Sequence, residues 1–310
     1  MMVSPMTLKK IYQEMKEALH KAGVDMPALD ARIIIEERCG FDWSDIVAKG
    51  EDLVVSDDIC EQMRIDVTER FNGKPISRIY NKREFWGLDF ALSPDTLDPR
   101  PDTELIIELA LKRFSGRNPP QRILDLGTGS GCILIALLSE FKNSVGVGVD
   151  LSEGALEMAR YNAQQNGCGE RISFICGSWW DAFDAGHVAS CGAAQGAHKG
   201  AHNVQQKYDL IVSNPPYIAN QVIPNLDPEV KNHDPILSLD GGSDGLDAYK
   251  VIFSKLKHYL SDDGIALLEI GYDQENDVMR LSEESGFALR TVHVDLAGNP
   301  RVVDISRGDK

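Results

Sequence analysis

Asn214-Pro215-Pro216-Tyr217 follows the apolar run Tyr208-Asp209-Leu210-Ile211-Val212-Ser213. Its residue types describe an acceptor for a planar NH2 group. A proline nitrogen carries no hydrogen, so two consecutive prolines leave a loop rich in backbone carbonyls with few competing donors, and the Asn side-chain oxygen adds one more acceptor. Holding both N–H bonds of an amide or exocyclic amine against the Asn214 oxygen and the Pro215 carbonyl would aim its nitrogen and stabilise positive charge developing there. Tyr217 would wall the planar face. Upstream, Ile123-Leu124-Asp125-Leu126-Gly127-Thr128-Gly129-Ser130-Gly131 reads as a strand entering a glycine turn, the form that brings backbone against a nucleoside. Asp150 ends the next strand, about 25 residues after Asp125, where a carboxylate can accept both ribose hydroxyls. A nucleoside site beside an NH2 acceptor points to methyl transfer from a sulfonium to nitrogen. Trp179 and Trp180 follow the third strand, and the residues alone leave open whether an indole covers adenine there or is buried in the core.

These groups need a scaffold, and the apolar periodicity supplies one. From Gln121 onward strands and helices alternate: strands 122–126, 144–149, 171–176, 208–213 and 264–270, with helices 131–141, 153–166, 246–260 and 273–285. The alternation predicts a parallel sheet covered on both faces. The runs Ala288 to Val294 and Arg301 to Ile305 lie too close together for a helical crossover, so they demand an antiparallel pair. An α/β fold with a mostly parallel, Rossmann-like sheet ending in an antiparallel hairpin suits a class I methyltransferase better than a nicotinamide domain. Cys132 agrees, because it stands where a dinucleotide fingerprint needs its third glycine.

Residues 7 to about 73 read as helices only: one behind a Thr7 cap with Gly23 as its stop, one from Pro27 to Gly40, and one capped by Ser56. The expected organisation is a helical domain over 1–80 and a catalytic domain over 81–310. A β-hairpin connection over 83–98 bridges them, with Phe85, Gly87 and Asp89 alternating against Trp86, Leu88 and Phe90. Residues 182–206 are rich in Ala, Gly and His and lack periodicity, as a surface insertion would be. His187, His198 and His202 have neither rigid spacing nor acidic partners, so no metal site is expected.

The chain has 310 residues and a net charge of −16, which repels a phosphate backbone and disfavours nucleic acid as a partner. Its six cysteines form no C-x-x-C pair, as expected of reduced packing residues. No apolar stretch approaches the run of about 18 residues that a membrane span needs. A cytoplasmic monomer is expected.

Further segments carry a family resemblance: Gly73-Lys74-Pro75-Ile76, Arg83-Glu84-Phe85-Trp86, Pro99-Arg100-Pro101-Asp102-Thr103-Glu104, Asp240-Gly241-Gly242 with Asp244-Gly245-Leu246, and Leu268-Glu269-Ile270-Gly271-Tyr272. With the two loops, they make the chain resemble the peptide chain release factor N5-glutamine methyltransferases, the PrmC/HemK family. The resemblance implies S-adenosyl-L-methionine as cofactor and the glutamine of a release factor's Gly-Gly-Gln motif as acceptor. It further implies that the N-terminal bundle helps dock the factor. Carried over by position, Gly127, Thr128, Gly129, Ser130, Gly131, Asp150, Trp179 and Asn214 would hold the cofactor. Asn214, Pro215, Pro216 and Tyr217 would hold the glutamine, with Arg100 bordering it. Ser178 departs from the acidic residue that relatives often carry before the Trp. Ribosomal-protein glutamine methylation shares the acceptor tetrapeptide, and DNA adenine-N6 methylation or cofactor binding without turnover are the more distant alternatives.

Overall fold

The computed structural model describes residues 6–183 and 207–307, so Cys191, the three insertion histidines and nearly all of the expected insertion lie outside the described residues. The chain divides into two compact units, one containing residues up to Asn81 together with Pro228–His233, the other containing the rest. Among the described residues no helix is long and apolar enough to cross a membrane.

The first unit consists of helices α1 (Leu8–Lys21), α2 (Pro27–Cys39), α3 (Trp43–Lys49), α4 (Asp57–Phe71) and α5 (Ile76–Tyr80), with the short α9 (Pro228–Lys231). Its core is the apolar stripe of α1 (Leu8, Ile11, Met15, Leu19) closed against Ile34, Ile35 and Met63. Helices α3 and α5 escape the periodicity reading because neither is long enough to repeat an apolar face. α3 announces itself instead by its cap, Asp42 Oδ1 accepting from Asp45 N at 3.0 Å. Thr7 occupies the N-cap position of α1, yet its side chain makes no capping bond, and its backbone forms a bridge with Val54. Two buried carboxylates tie the helices together. Asp66 accepts both Arg38 Nε (2.6 Å) and Nη2 (2.7 Å), and also the Tyr80 hydroxyl at 2.6 Å. Asp30 accepts Arg70 Nε at 2.7 Å, and Arg70 Nη1 reaches Glu229 at 2.5 Å. The second ion pair places α9 with this unit, a membership that sequence order hides.

In the second unit, seven strands follow β3 (Arg122–Leu126), β4 (Val145–Asp150), β5 (Ile172–Cys176), β6 (Tyr208–Ser213), β7 (Leu260–Glu269), β8 (Leu289–Val294) and β9 (Pro300–Ser306), in the spatial order β5-β4-β3-β6-β7-β9-β8. The first five are parallel, and β9 runs antiparallel to both β7 and β8. Both faces are covered: α6 (Glu104–Phe114), α7 (Cys132–Glu140) and α8 (Glu153–Gln165) pack on one, α10 (Asp247–Tyr259) and α11 (Glu275–Glu284) on the other. Alternate strand residues accordingly enter two cores, Leu124, Ile211 and Leu268 one and Ile123, Val212 and Leu267 the other. β7 begins at Leu260, earlier than expected, because Leu260 pairs with Tyr208 before the register shifts ahead of Ile265.

The hairpin of β1 (Lys82–Phe85) and β2 (Leu88–Ala91) forms, but its facing differs from the predicted alternation. Trp86 and Gly87 both have positive φ (54° and 68°), the geometry of a tight two-residue turn, and this turn resets the alternation. Phe85 and Phe90 therefore share one face, with ring centroids 6.2 Å apart, and both are buried in the second unit's core. The hairpin is thus packed as a layer of that unit.

Asp66→Ala would remove the acceptor shared by Arg38 and Tyr80. With Arg38 one-third exposed, the loss should be near the lower end for a broken buried pair, about 3 kcal/mol. Urea unfolding of the full chain, with amide exchange read over residues 8–80, checks both the size and the location of the loss.

Candidate active site

The order β4-β3-β6 contains the sheet's switch point: from β3 the chain proceeds outward to β4 and β5, then returns to β6 on the other side of β3. Loops leaving the carboxyl ends of β3 and β6 diverge there and leave a crevice between them. Ser213 Oγ donates to the Leu126 carbonyl at 2.6 Å and holds the two strand ends together just before each loop departs.

After β3, Gly127 N and Thr128 N both donate to the Val149 carbonyl (2.8 and 2.9 Å), and Gly131 N donates to the Thr128 carbonyl at 2.8 Å. Gly127, Gly129 and Gly131 take φ of 74°, 54° and 81°, which a side chain would strain. Thr128 Oγ1 donates to Asp125 Oδ2 at 2.6 Å, and complete burial pushes the Asp125 carboxyl up to about 7. Asp150 Oδ2 accepts Gly129 N at 2.8 Å, and its Oδ1 accepts Ser152 N at 2.9 Å. Each oxygen retains capacity for a further donor. Asn162, buried in α8, braces the turn: its Nδ2 donates to the Ser130 and Ala91 carbonyls while its Oδ1 accepts Ala91 N.

These groups line a cavity of about 460 Å³ that includes Gly127, Thr128, Gly129, Ser130, Asp150, Trp179, Arg100, Asn214 and Pro216. Gly131 is not in the lining. It caps α7, where a Cβ would come within 3.0 Å of Ile135 Cδ1 and 3.3 Å of Ala159 Cβ. The tryptophans divide their roles. Trp180 is buried, stacked on Tyr259 at 4.7 Å with 2° between the planes, and Trp179 takes a positive φ of 48° and stands over the glycine loop. Asp95, Asp181, Asp240 and Asp247 also line the cavity, so among the described residues five carboxylates, with Asp150, stand against the single cation Arg100. Arg100 is itself engaged, its Nη2 lying 2.5 Å from buried Asp234.

In the β6 loop, Asn214 Nδ2 donates to Thr103 Oγ1 at 3.1 Å, and Thr103 Oγ1 donates to Glu269 Oε2 at 2.6 Å. Tyr217 Oη donates to the other oxygen, Oε1, at 3.3 Å. Glu269 is 1% exposed, and burial pushes its carboxyl up to about 7 against the opposing effects of Thr103, Arg301 and Tyr217. Pro215 is buried, and neither it nor Tyr217 belongs to the cavity lining; the Tyr217 ring packs on the core. The loop backbone rests on glycines. A Cβ at Gly241 would lie 2.9 Å from the Pro216 carbonyl oxygen, and one at Gly245 would lie 2.5 Å from the Tyr217 carbonyl oxygen. Gln274 Nε2 bridges the Tyr217 and Gly245 carbonyls at 3.0 and 3.1 Å. Thr103, Glu269 and Gln274 were not predicted as site residues. Glu269 carries a signal, a carboxylate inside the apolar run Leu267-Leu268-Glu269-Ile270, whereas Thr103 stands between Asp102 and Glu104 and has none beyond the family resemblance of its segment.

A "Methyltransferase domain" family model matches residues 118–276, and a "PrmC N-terminal domain" model matches residues 10–80. A release factor glutamine methyltransferase of Agrobacterium fabrum is 40% identical over 297 residues, covering 94% of each chain. That of Bradyrhizobium diazoefficiens is 39% identical over 290 residues, 92% of this chain and 90% of its own. The chain belongs to the release factor glutamine methyltransferase family. It is therefore a methyltransferase. The catalytic domain of hMettl16, solved in complex with MAT2A 3'UTR hairpin 1, shares the fold with a TM-score of 0.54 at 17% identity, over 83% of each chain.

Gly245→Ala should displace the Tyr217 carbonyl and force a side chain into a φ of +76°, at a cost of about 1–3 kcal/mol. Thermal unfolding should register that loss, and steady-state assays should show turnover falling at least about tenfold as the acceptor loop shifts.

Proposed function

We propose that this chain transfers a methyl group from S-adenosyl-L-methionine to the side-chain amide nitrogen (N5) of the glutamine in the Gly-Gly-Gln motif of peptide chain release factors. The names of the relatives support the substrate. The observation that carries the chemistry is Asn214: with its Nδ2 committed to Thr103, its Oδ1 is the atom left for an incoming amide.

The residues suit that cofactor. The glycine turn offers backbone unobstructed by Cβ atoms, Asp150 keeps lone pairs for ribose hydroxyls, Trp179 offers an indole face, and the acidic rim favours a cation. When bound, S-adenosyl-L-methionine supplies an electrophilic methyl group on a sulfonium sulfur. Asn214 Oδ1, on the cavity wall, would accept an N–H bond of the glutamine and turn its nitrogen lone pair toward the methyl group, whereas buried Pro215 lies outside the lining and would serve by shaping the loop. The same oxygen would stabilise the positive charge that grows on nitrogen as the N–C bond forms and the methyl–sulfur bond breaks, until a proton leaves to water. Preorganised positioning of this kind lowers barriers by about 7–11 kcal/mol in favourable cases, and no strong base is needed.

Tyr217 would act from behind the acceptor by packing and through Glu269. Arg100, with its charge already paired to Asp234, would border the glutamine by fixing the adjoining loop. The helical unit would serve as the docking surface for the release factor. Among the described residues Cys39, Cys60, Cys132 and Cys168 carry free thiols, which supports a reducing compartment.

Incubation with labelled cofactor and a purified release factor, followed by peptide sequencing, should place one methyl group on the Gly-Gly-Gln glutamine; label elsewhere would refute the assignment. Asn214→Ala should lower kcat by about 100-fold, with cofactor affinity changed no more than about twofold. Asp150→Ala should chiefly weaken cofactor binding, by about tenfold or more, as titration calorimetry would show.

A further inference from the structure

The Asn214–Thr103–Glu269 chain has a direction set by its protons. An ionised Glu269 has none to give, so the hydroxyls of Thr103 and Tyr217 both donate to it. Thr103 has a single hydroxyl proton, and that proton is spent on Glu269. Toward Asn214 the Thr103 oxygen can only accept, which forces the amide to present Nδ2 to Thr103 and leaves Oδ1 for the substrate. Side-chain amides are nearly symmetric in shape, so packing alone does not choose between the two orientations; the proton inventory does.

We propose that Glu269 and Thr103 are positioning residues: the ionised Glu269, acting through the Thr103 hydroxyl, fixes the polarity of Asn214 so that an acceptor oxygen faces the incoming amide. This rests on the reading of Asn214 as the glutamine acceptor. When Glu269 takes up a proton on Oε2, that oxygen donates to Thr103, whose own hydroxyl proton then turns toward Asn214. The Asn214 amide rotates to offer Oδ1 to Thr103, and its NH2 group faces the NH2 group of the substrate. Two donors then oppose each other at the reacting nitrogen, and methyl transfer slows.

The surroundings of Glu269 place this exchange near neutrality. Thr103 and Asp102 face it from the turn before α6, Tyr217 from the acceptor loop, Arg301 from β9 and Cys132 from the start of α7, while the Tyr249 hydroxyl of α10 donates to its backbone carbonyl at 2.8 Å. Burial dominates and raises the carboxyl to about 7, against Thr103, Arg301 and Tyr217, which favour the charged form. A raised carboxyl is ionised above that value and protonated below it, so the productive polarity prevails at pH 8 and is lost toward pH 6.

The test is a set of kcat profiles from pH 6 to 8 on the full chain with saturating S-adenosyl-L-methionine and a purified release factor. In the wild type, kcat should fall on the order of fivefold from pH 8 to pH 6, with cofactor affinity constant. Thr103→Val, which keeps the shape and removes the hydroxyl, should lower kcat at pH 8 about tenfold, flatten the profile, and leave KM for the factor and cofactor affinity within about twofold. Thr103→Ser should restore both the rate and the acid limb, and Glu269→Gln should abolish the limb. A Thr103→Val enzyme with wild-type kcat and an intact limb overturns the proposal. Should Thr103→Val fail to fold, the wild-type and Glu269→Gln profiles decide, since a flat wild-type profile, or a limb that survives in Glu269→Gln, overturns it equally. Asn214→Ala with undiminished turnover would instead overturn the acceptor reading itself, whereas an inactive Asn214→Ala beside a fully active Thr103→Val would defeat only the relay.

Discussion

The parallel pairing of β3 with β6 is the constraint on which the rest of this structure depends. It makes the centre of the sheet its switch point, so the glycine turn and the Asn214–Tyr217 loop leave adjacent strand ends and separate around one crevice. The Ser213–Leu126 hydrogen bond sits where the loops part. Residues nearly ninety positions apart in the chain therefore bound one cavity with no element built solely to join them. The apolar strands that pair there are covered by helices on both faces and draw on both cores, which keeps the floor of the crevice rigid.

Above that floor, carboxylates that would be costly to bury alone draw hydrogen bonds from neighbouring groups, although Asp125 Oδ1 stays unpartnered among the described residues. Asp125 is held by Thr128, Asp150 by two backbone amides, and Glu269 by two hydroxyls. A buried carboxylate is tolerated only with such partners, and each arrangement here also orients something at the cavity. Asp125 and Asp150 shape the glycine turn. Glu269 reaches two residues of the β6 loop at once, Tyr217 directly and Asn214 through Thr103. The β6 loop is held from behind by hydrogen bonds and from the side by Gly241 and Gly245, which let its backbone approach more closely than any side chain would permit.

Much of this was legible in the amino-acid order. The two loops could be located because their chemistry is local: glycine at positive φ and prolines without donors act where they stand. Strands β3 to β6 and helices α7 and α8 declared themselves through apolar runs long enough to show a period. The short α3 and α5 did not, having too few residues to repeat one. The hairpin's facing was misread at Trp86-Gly87, because a two-residue turn with both φ positive interrupts an alternation that looks continuous in one dimension. Gly131, expected in the cofactor loop, lies outside the cavity lining and close to Ile135 and Ala159, a packing contact that its place in the glycine turn does not announce.

By itself the sequence determined the α/β class, the order of the elements, the position of both loops and the residue types that could hold an amide and a nucleoside. These are properties of local backbone freedom and of periodic burial, and each is written within a few consecutive residues. Only the tertiary structure decided which way the amide of Asn214 points, that Trp179 faces the cavity while Trp180 enters the core, that Arg100 is already paired, and that α9 belongs with the helical unit. Those outcomes depend on partners at 103, 269, 259, 234 and 70, brought into contact by folding. The direction of a hydrogen bond or an ion pair is a property of two groups in space, and neither group carries it alone.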